Sequence, residues 1–285
     1  MAAVSWFPGS ANLVMSAVPA RPVNIMNLHF PNPVGLAAGF DRDGKLAGRL
    51  KMAGFGFIEI GTVNVDSEID PDEKLANIVR NLEYSRSLLT NQALLGVSLG
   101  SLRKTLDVHA VTDYLQGMEM FWQCSDYIVI NLSRPDSSVR SGAAGKADLR
   151  KLLERIKKGQ TELCEKHGSY KPVIIKVAIE YESRNIWPEA LLIANELEYD
   201  GLLIAFESWP SSADVVTTVG EISALTDQLP LIVVGGIKSA DEVLELLSAG
   251  ANLVQCYTLL VEQGPAEMGK MIRKVSLLTD ERACH

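Results

Sequence analysis

From residue 33 onward, short apolar runs alternate with longer stretches whose apolar residues recur at helical spacing. Short apolar runs bounded by turn residues read as strands buried on both faces, and such strands are parallel when crossover helices separate them. The expected strands are Val34–Ala38, Phe57–Thr62, Leu95–Leu99, Tyr127–Leu132, Val173–Val177, Gly201–Ala205, Leu231–Val234 and Leu253–Cys256. The expected helices are Leu46–Met52, Thr112–Cys124, Ala147–Cys164, Pro188–Leu197, Val215–Leu225, Ala240–Ala249 and Gly264–Leu278. Eight strands in this alternation predict an α/β fold, the (β/α)8 TIM barrel, with its reactive groups on the face where the strands end.

The punctuation agrees with this division. Ser239 precedes Ala240-Asp241-Glu242 as an expected N-cap with acidic residues in the first turn, and Gly250 follows Ala249 as a stop. Asp66–Glu73 is acidic, interrupted by Pro71, and reads as a loop. No internal repeat or low-complexity tract breaks the alternation. Residues 1–20 read as an N-terminal extension and 21–285 as a single barrel domain.

Composition narrows the partners. The chain is 47% hydrophobic and 22% charged, with no apolar run near the roughly 18 to 20 residues that span a bilayer. A net charge of -8 argues against a nucleic-acid partner, and the basic cluster Arg150-Lys151, Arg155, Lys157-Lys158, with Glu154 among it, reads as a solvated helix face. Cys124, Cys164, Cys256 and Cys284 are far apart and form no CxxC or Cys/His ligand pair, so neither a metal site nor a disulfide framework is expected. The N-terminus lacks a basic region followed by an apolar segment. A cytoplasmic protein with a small-molecule substrate, no membrane and no nucleic acid is the expectation, with a homo-oligomer left open.

Several strand ends carry chemistry. Gly35-Leu36-Ala37-Ala38-Gly39 closes a strand with small residues, which suits either tight barrel packing or close approach to a planar ligand; Gly61-Thr62 at the next strand end favours the ligand. Val233-Val234-Gly235-Gly236-Ile237 runs into paired glycines before a helix start, an arrangement suited to a phosphate. Gln255-Cys256-Tyr257-Thr258 falls at the eighth strand, the other usual phosphate position in barrels. Lys176 ends the run Val173-Ile174-Ile175 and is either a group that stabilises developing negative charge or a surface lysine. Asn131 ends its own strand with a carboxamide that both donates and accepts.

Asn32-Pro33-Val34-Gly35-Leu36-Ala37-Ala38-Gly39-Phe40-Asp41-Arg42-Asp43-Gly44, taken with Gly54-Phe55-Gly56-Phe57-Ile58-Glu59-Ile60-Gly61-Thr62-Val63, resembles the opening of the dihydroorotate dehydrogenase family, its membrane-linked class in particular. The resemblance runs from about Pro22 to about Arg273 and is strongest over 21–65, 127–133, 145–153 and 231–258. It implies FMN as cofactor, held at the matching positions Ala37, Ala38, Gly39, Thr62, Asn131, Lys176, Gly235, Gly236, Tyr257 and Thr258.

The departures from that family are equally specific. Its Asn-x-Ser-Ser-Pro-Asn-Thr segment, whose second Ser is Cys in the soluble class, reads Asn131-Leu132-Ser133-Arg134-Pro135-Asp136-Ser137. Arg134 stands where a base is expected, and a guanidinium stays protonated near neutrality. Arg134 either grips a carboxylate or phosphate or pairs internally with Asp136 or Glu207, and these two acids are the candidate bases of an altered reaction. Arg42 replaces the family lysine, Thr90-Asn91-Gln92-Ala93 shortens an asparagine-rich segment, and Ser98 replaces an asparagine. Ala205-Phe206-Glu207-Ser208 replaces Thr-Asn-Thr, Trp209-Pro210-Ser211-Ser212 replaces a glycine-rich loop, and Leu259 replaces a glycine. The helical pair that delivers quinone in the membrane-linked class has no counterpart expected here, so the acceptor is open.

The candidate catalytic residues are therefore Lys176, Arg134 and Asp136, and the candidate substrate contacts Arg42, Asn91 and Glu207. The function expected is an FMN-dependent oxidoreductase acting on a small molecule other than dihydroorotate. Two alternatives stand beside it: a non-catalytic or non-redox descendant that binds a ligand or partner, and a working dihydroorotate dehydrogenase.

Overall fold

The computed structural model describes residues 21–68, 73–89, 92–103, 105–133, 142–183, 188–207, 211–226 and 229–282. A short antiparallel hairpin, β1 (Val23–Ile25) and β2 (Leu28–Phe30), precedes the barrel, its turn made by Met26 and Asn27, both at positive φ. The barrel strands are β3 (Val34–Leu36), β4 (Phe57–Asn64), β5 (Leu94–Gly100), β6 (Tyr127–Asn131), β7 (Val173–Glu180), β8 (Gly201–Glu207), β9 (Leu231–Val234) and β10 (Leu253–Cys256). All pair in parallel with their sequence neighbours, and β10 closes on β3 through Val254 opposite Val34. The fold is a (β/α)8 barrel.

The helices are α1 (Ala47–Leu50), α2 (Glu73–Leu89), α3 (Val108–Phe121), α4 (Gly142–His167), α5 (Glu189–Glu196), α6 (Ser212–Thr226), α7 (Ala240–Ser248) and α8 (Thr258–Arg282). Every expected strand is found, with β7 and β8 running further than the apolar pattern implied, to Glu180 and Glu207. Three expectations are corrected. The hairpin was not anticipated: its strands are only three residues each, and of their residues Phe30 alone is buried. Helix α2 was not anticipated either, and Glu73, read as loop, is its first residue. The stretch read as helix over Leu46–Met52 is one α turn followed by a 3-10 turn, Lys51–Ala53, ended by Gly54 in the left-handed region.

Two cores result from the period-two alternation of each strand. The larger lies between the barrel wall and the helices and includes Leu36, Ile58, Ile60, Val97, Ile128, Ile130, Ile175 and Val254. The smaller fills the lower barrel interior with Phe57, Tyr127, Val129, Ile174, Leu203, Ile232 and Leu253, and Phe30 of the hairpin belongs to it. Two glycines make this lower layer possible. A Cβ at Gly35 would lie 2.3 Å from the Phe57 ring, and one at Gly96 would lie 2.1 Å from the Tyr127 ring. The lower interior is thus packed with rings, and open space is left to the strand ends.

Candidate functional site

Three tiers stack along the barrel interior. Above the ring layer, β4 alternates inward from Phe57 to Glu59, and β10 from Leu253 to Gln255. Glu59 and Gln255 are fully buried, and Gln255 Nε2 donates to Glu59 Oε2 at 2.6 Å. Lys176 of β7 reaches the same tier, its Nζ 3.9 Å from Glu59 Oε1, and is 8% exposed. The lysine is therefore an interior group, and the surface alternative is set aside. Burial raises the Glu59 carboxyl above the usual range, against the lowering effects of Lys176 and the Gln255 hydrogen bond.

One step nearer the mouth, Asn131 lies opposite Lys176 in the β6–β7 register. Asn131 Nδ2 donates to Thr62 Oγ1 at 3.0 Å, and its Oδ1 accepts from the Ser133 N–H at 3.0 Å. Thr62 Oγ1 lies 3.4 Å from Ser98 Oγ of β5. Ser98 is fully buried, so the residue that departs from the family asparagine is built into this tier beside Thr62.

The turn after β3 is clamped to the end of β4 in both directions. Gly39 N–H donates to the Gly61 carbonyl at 2.7 Å, and Gly61 N–H donates to the Asp41 carbonyl at 3.2 Å. Gly39 (φ 109°) and Gly61 (φ 117°) both occupy the left-handed region, which explains glycine at these two positions. The Asp41 carboxylate accepts from the N–H groups of Leu46 and Ala47 at 2.9 and 2.8 Å. Its burial outweighs those bonds and pushes its pKa up to about 6. Ala37 N–H donates to the Cys256 carbonyl at 3.1 Å, joining this turn to β10. Tyr257 then packs its ring within 3.7 Å of where a Gly39 Cβ would be, and edge-on to Phe40.

Beside β10, at the end of β9, Gly235 presses on the Phe206 carbonyl, and a Cβ there would approach it to 2.1 Å. Gly236 (φ 66°) faces open space, with nothing within 4 Å of its would-be Cβ. A cavity of about 340 Å³ adjoins both glycines and is walled by Phe206, Val215, Val216, Ile237 and Leu246. Ser239 caps α7 in a capping box, its Oγ accepting from Glu242 N–H while Glu242 Oε2 accepts from Ser239 and Lys238 N–H. Thr258 opens α8, half-buried, and Leu259 is 4% exposed with its side chain in the outer core. The leucine in place of the family glycine therefore packs against the helices.

Ala37, Gly39, Thr62, Asn131, Lys176 and Tyr257 thus converge on one mouth, with Gly235 and Gly236 at the adjoining end of β9 and Ala38 half-buried in the turn. Arg42 is exposed on the turn before α1. Arg134, Asp136 and Asn91 lie outside the described residues, and Glu207 is described only as the last residue of β8. Glu59 and Gln255 were not singled out as functional in the sequence. The available signal was an acid in the run Phe57-Ile58-Glu59-Ile60 and an amide in Leu253-Val254-Gln255-Cys256, each at an inward position. Among the described residues, no group of three His, Cys, Asp or Glu side chains is placed to hold a metal ion, and no helix is long and apolar enough to cross a membrane.

Comparison with known proteins gives a consistent set. The family model for dihydroorotate dehydrogenase matches residues 21–70 and 210–278. The dihydroorotate dehydrogenase (quinone) of Acinetobacter baylyi is 34% identical over 294 residues, covering 89% of this chain and 87% of that protein. That of Flavobacterium lutescens is 30% identical over 306 residues, covering 94% and 87%. The crystal structure of DHODH from Eimeria tenella in complex with ferulenol superposes with a TM-score of 0.75 at 22% identity, over 99% of this chain and 89% of that one.

Proposed function

Because the chain belongs to the dihydroorotate dehydrogenase family, whose expected cofactor is FMN, we propose that it is an FMN-dependent oxidoreductase whose substrate is a small molecule other than dihydroorotate. The observation that carries the FMN half of this reading is the register pairing of Asn131 with Lys176 at the barrel mouth, where Asn131 also binds Thr62. A cation and a carboxamide on adjacent strands, under a turn of small residues, suit the polar edge of a flat heterocycle.

Two further features fit the group. Gly39 leaves the wall beside Tyr257 clear, Gly61 lets β4 lie against the Ser98 carbonyl of β5, and Gly236 faces open space where a Cβ would meet nothing. In this reading Ala37, Ala38 and Gly39 line one face of the ring system, and Thr62, Asn131 and Lys176 meet its polar edge. Gly235, Gly236, Tyr257 and Thr258 border the phosphate. Bound FMN supplies the two-electron chemistry, and the residues of this chain bind it, orient the substrate and exclude water.

The substrate half rests on the departures. Ser98 fills with a short hydroxyl the position of a family asparagine, and its nearest hydroxyl neighbour is Thr62. A site that has lost its hydrogen-bonding groups rejects the substrate that needed them by orders of magnitude. Arg134 in place of the base, with Asp136 or Glu207 taking the proton in an altered reaction, belongs to the same reading, as do Arg42 and Asn91 as substrate contacts.

The test is to incubate purified protein with excess FMN, desalt it and record the visible spectrum, then assay dihydroorotate oxidation with an artificial acceptor and with a quinone. The expected result is flavin retained near stoichiometry and dihydroorotate turnover at background. Absence of retained flavin overturns the cofactor reading, and vigorous dihydroorotate turnover overturns the substrate reading. Lys176→Met is expected to weaken FMN retention about tenfold, the loss of one charge-assisted contact.

A further inference from the structure

We propose that Glu59 is a positioning residue, the buried counter-charge that holds the Lys176 ammonium in place at the floor of the barrel mouth, and so sets the charge that the flavin meets. This rests on the FMN reading above for its last clause and on the geometry alone for the rest.

The argument begins with placement. Glu59 is fully buried in the tier directly above the ring layer, where an isolated charge is strongly disfavoured. The polar groups facing it come from three strands: Lys176 of β7, Gln255 of β10 and the Tyr127 hydroxyl of β6. Only one is a cation. Gln255 Nε2 binds Oε2, while Oε1 has no hydrogen-bond partner among the described residues and lies 3.9 Å from Lys176 Nζ.

Two protonation patterns are available to this tier. In a neutral carboxylic acid, the Lys176 ammonium 3.9 Å from Oε1 would lose the negative charge that faces it. In the carboxylate form, Oε2 accepts from Gln255 and Oε1 faces the ammonium, so each oxygen has a complementary neighbour. The second pattern leaves the tier with no net charge and fits the geometry better.

The separation also carries meaning. At 3.9 Å the ammonium is attracted without being consumed in a short hydrogen bond, so its N–H groups remain available to a ligand above. Asn131, opposite Lys176 in register, is held on its other side by Thr62. Glu59 therefore lies beside Lys176 in the tier beneath Asn131 and Thr62. It acts through Lys176 and not on the cofactor itself.

The experiment has two arms. In the first, apoprotein labelled with 13C at lysine Cε is observed by NMR at neutral pH, the Lys176 signal being assigned by its loss in Lys176→Met. Glu59→Gln is expected to move that signal toward the position of a mobile lysine and to narrow it, while Glu59→Asp retains most of the wild-type position. Gln255→Met keeps the acid but removes the donor that favours its ionised form, and a smaller shift of the same sign is expected. It also serves if Glu59→Gln fails to fold. An unchanged Lys176 signal in the folded variants overturns the proposal.

In the second arm the flavin midpoint potential is measured at neutral pH on FMN-loaded wild type and Glu59→Gln. Removal of the negative partner leaves one uncompensated positive charge near the flavin. The affinity ratio for reduced over oxidised FMN is then expected to rise about tenfold, a positive shift of about 30 mV for two electrons. A lysine shift without a potential shift overturns the flavin clause, since a purely structural acid would behave that way. If wild type holds no FMN, the cofactor reading fails, and the lysine signal still decides the role of Glu59.

Discussion

Asp41 is the residue at which pH should be felt most directly. Its carboxyl sits 2% exposed at the start of α1, and burial raises its pKa from 3.8 to about 6. The folded protein therefore holds this proton more tightly than the unfolded chain does. Stability from this group is fully present below pH 4 and is lost as pH rises through about 6, to a total of about 3 kcal/mol. Asp41→Asn keeps an oxygen for the Leu46 and Ala47 N–H groups, and urea unfolding of that variant is expected to show the decline between pH 4 and 6 flattened. An unchanged pH profile would exclude this assignment. At the same scale, Asn131 and Thr62 were legible in the sequence because each lies at the close of an apolar run, and Lys176 because it interrupts one at an inward position. Glu59 was hidden because its significance depends on Gln255, which is 196 positions away.

Among the elements, α2 shows how a helix can escape its own pattern. Its buried residues are Ile78, Leu82, Ser85 and Leu89, a helical stripe with a serine in one of its places. Much of its docking is polar. Ser85 Oγ donates to the Gly44 carbonyl and accepts from Gly48 N–H, and Asn81 Nδ2 donates to the Asp43 carbonyl. Helix α7 shows the opposite case, since Ser239 and Glu242 announced its start and form the capping box. Ser239→Ala is expected to cost about 1 kcal/mol in urea unfolding, without altering the barrel. A third element contact joins the segment after β4 to α3: Arg103 binds Asp66, Glu68 and the nearly inaccessible Asp113. Arg103→Met should destabilise the protein by stranding Asp113, and adding Asp113→Asn should restore part of the loss. A double variant no more stable than Arg103→Met, measured by thermal unfolding, would show that the buried charge is not the cause.

Across the whole molecule, the hairpin and the barrel form one folding unit through Phe30. Its ring is fully buried and packs edge-on to Phe57 at 5.4 Å between centroids, closing the lower interior. Phe30→Ala is expected to cost about 3 to 5 kcal/mol, with the hairpin and barrel still unfolding together; separate transitions in hydrogen exchange and urea titration would contradict that coupling. The order of the eight barrel strands was determined by the sequence alone, because apolar spacing is a local property and parallel strands buried on both faces leave few other arrangements. The residues at the strand ends followed from the same pattern, since a barrel places every strand end on one face. Tertiary structure alone decided what those residues meet. It brought Gln255 to Glu59 and Lys176, set Asn131 against Thr62, and turned Leu259 into the outer core. These contacts depend on the register of strands that are distant in sequence and on which face of the wall a side chain occupies, and both are fixed only when β10 closes on β3.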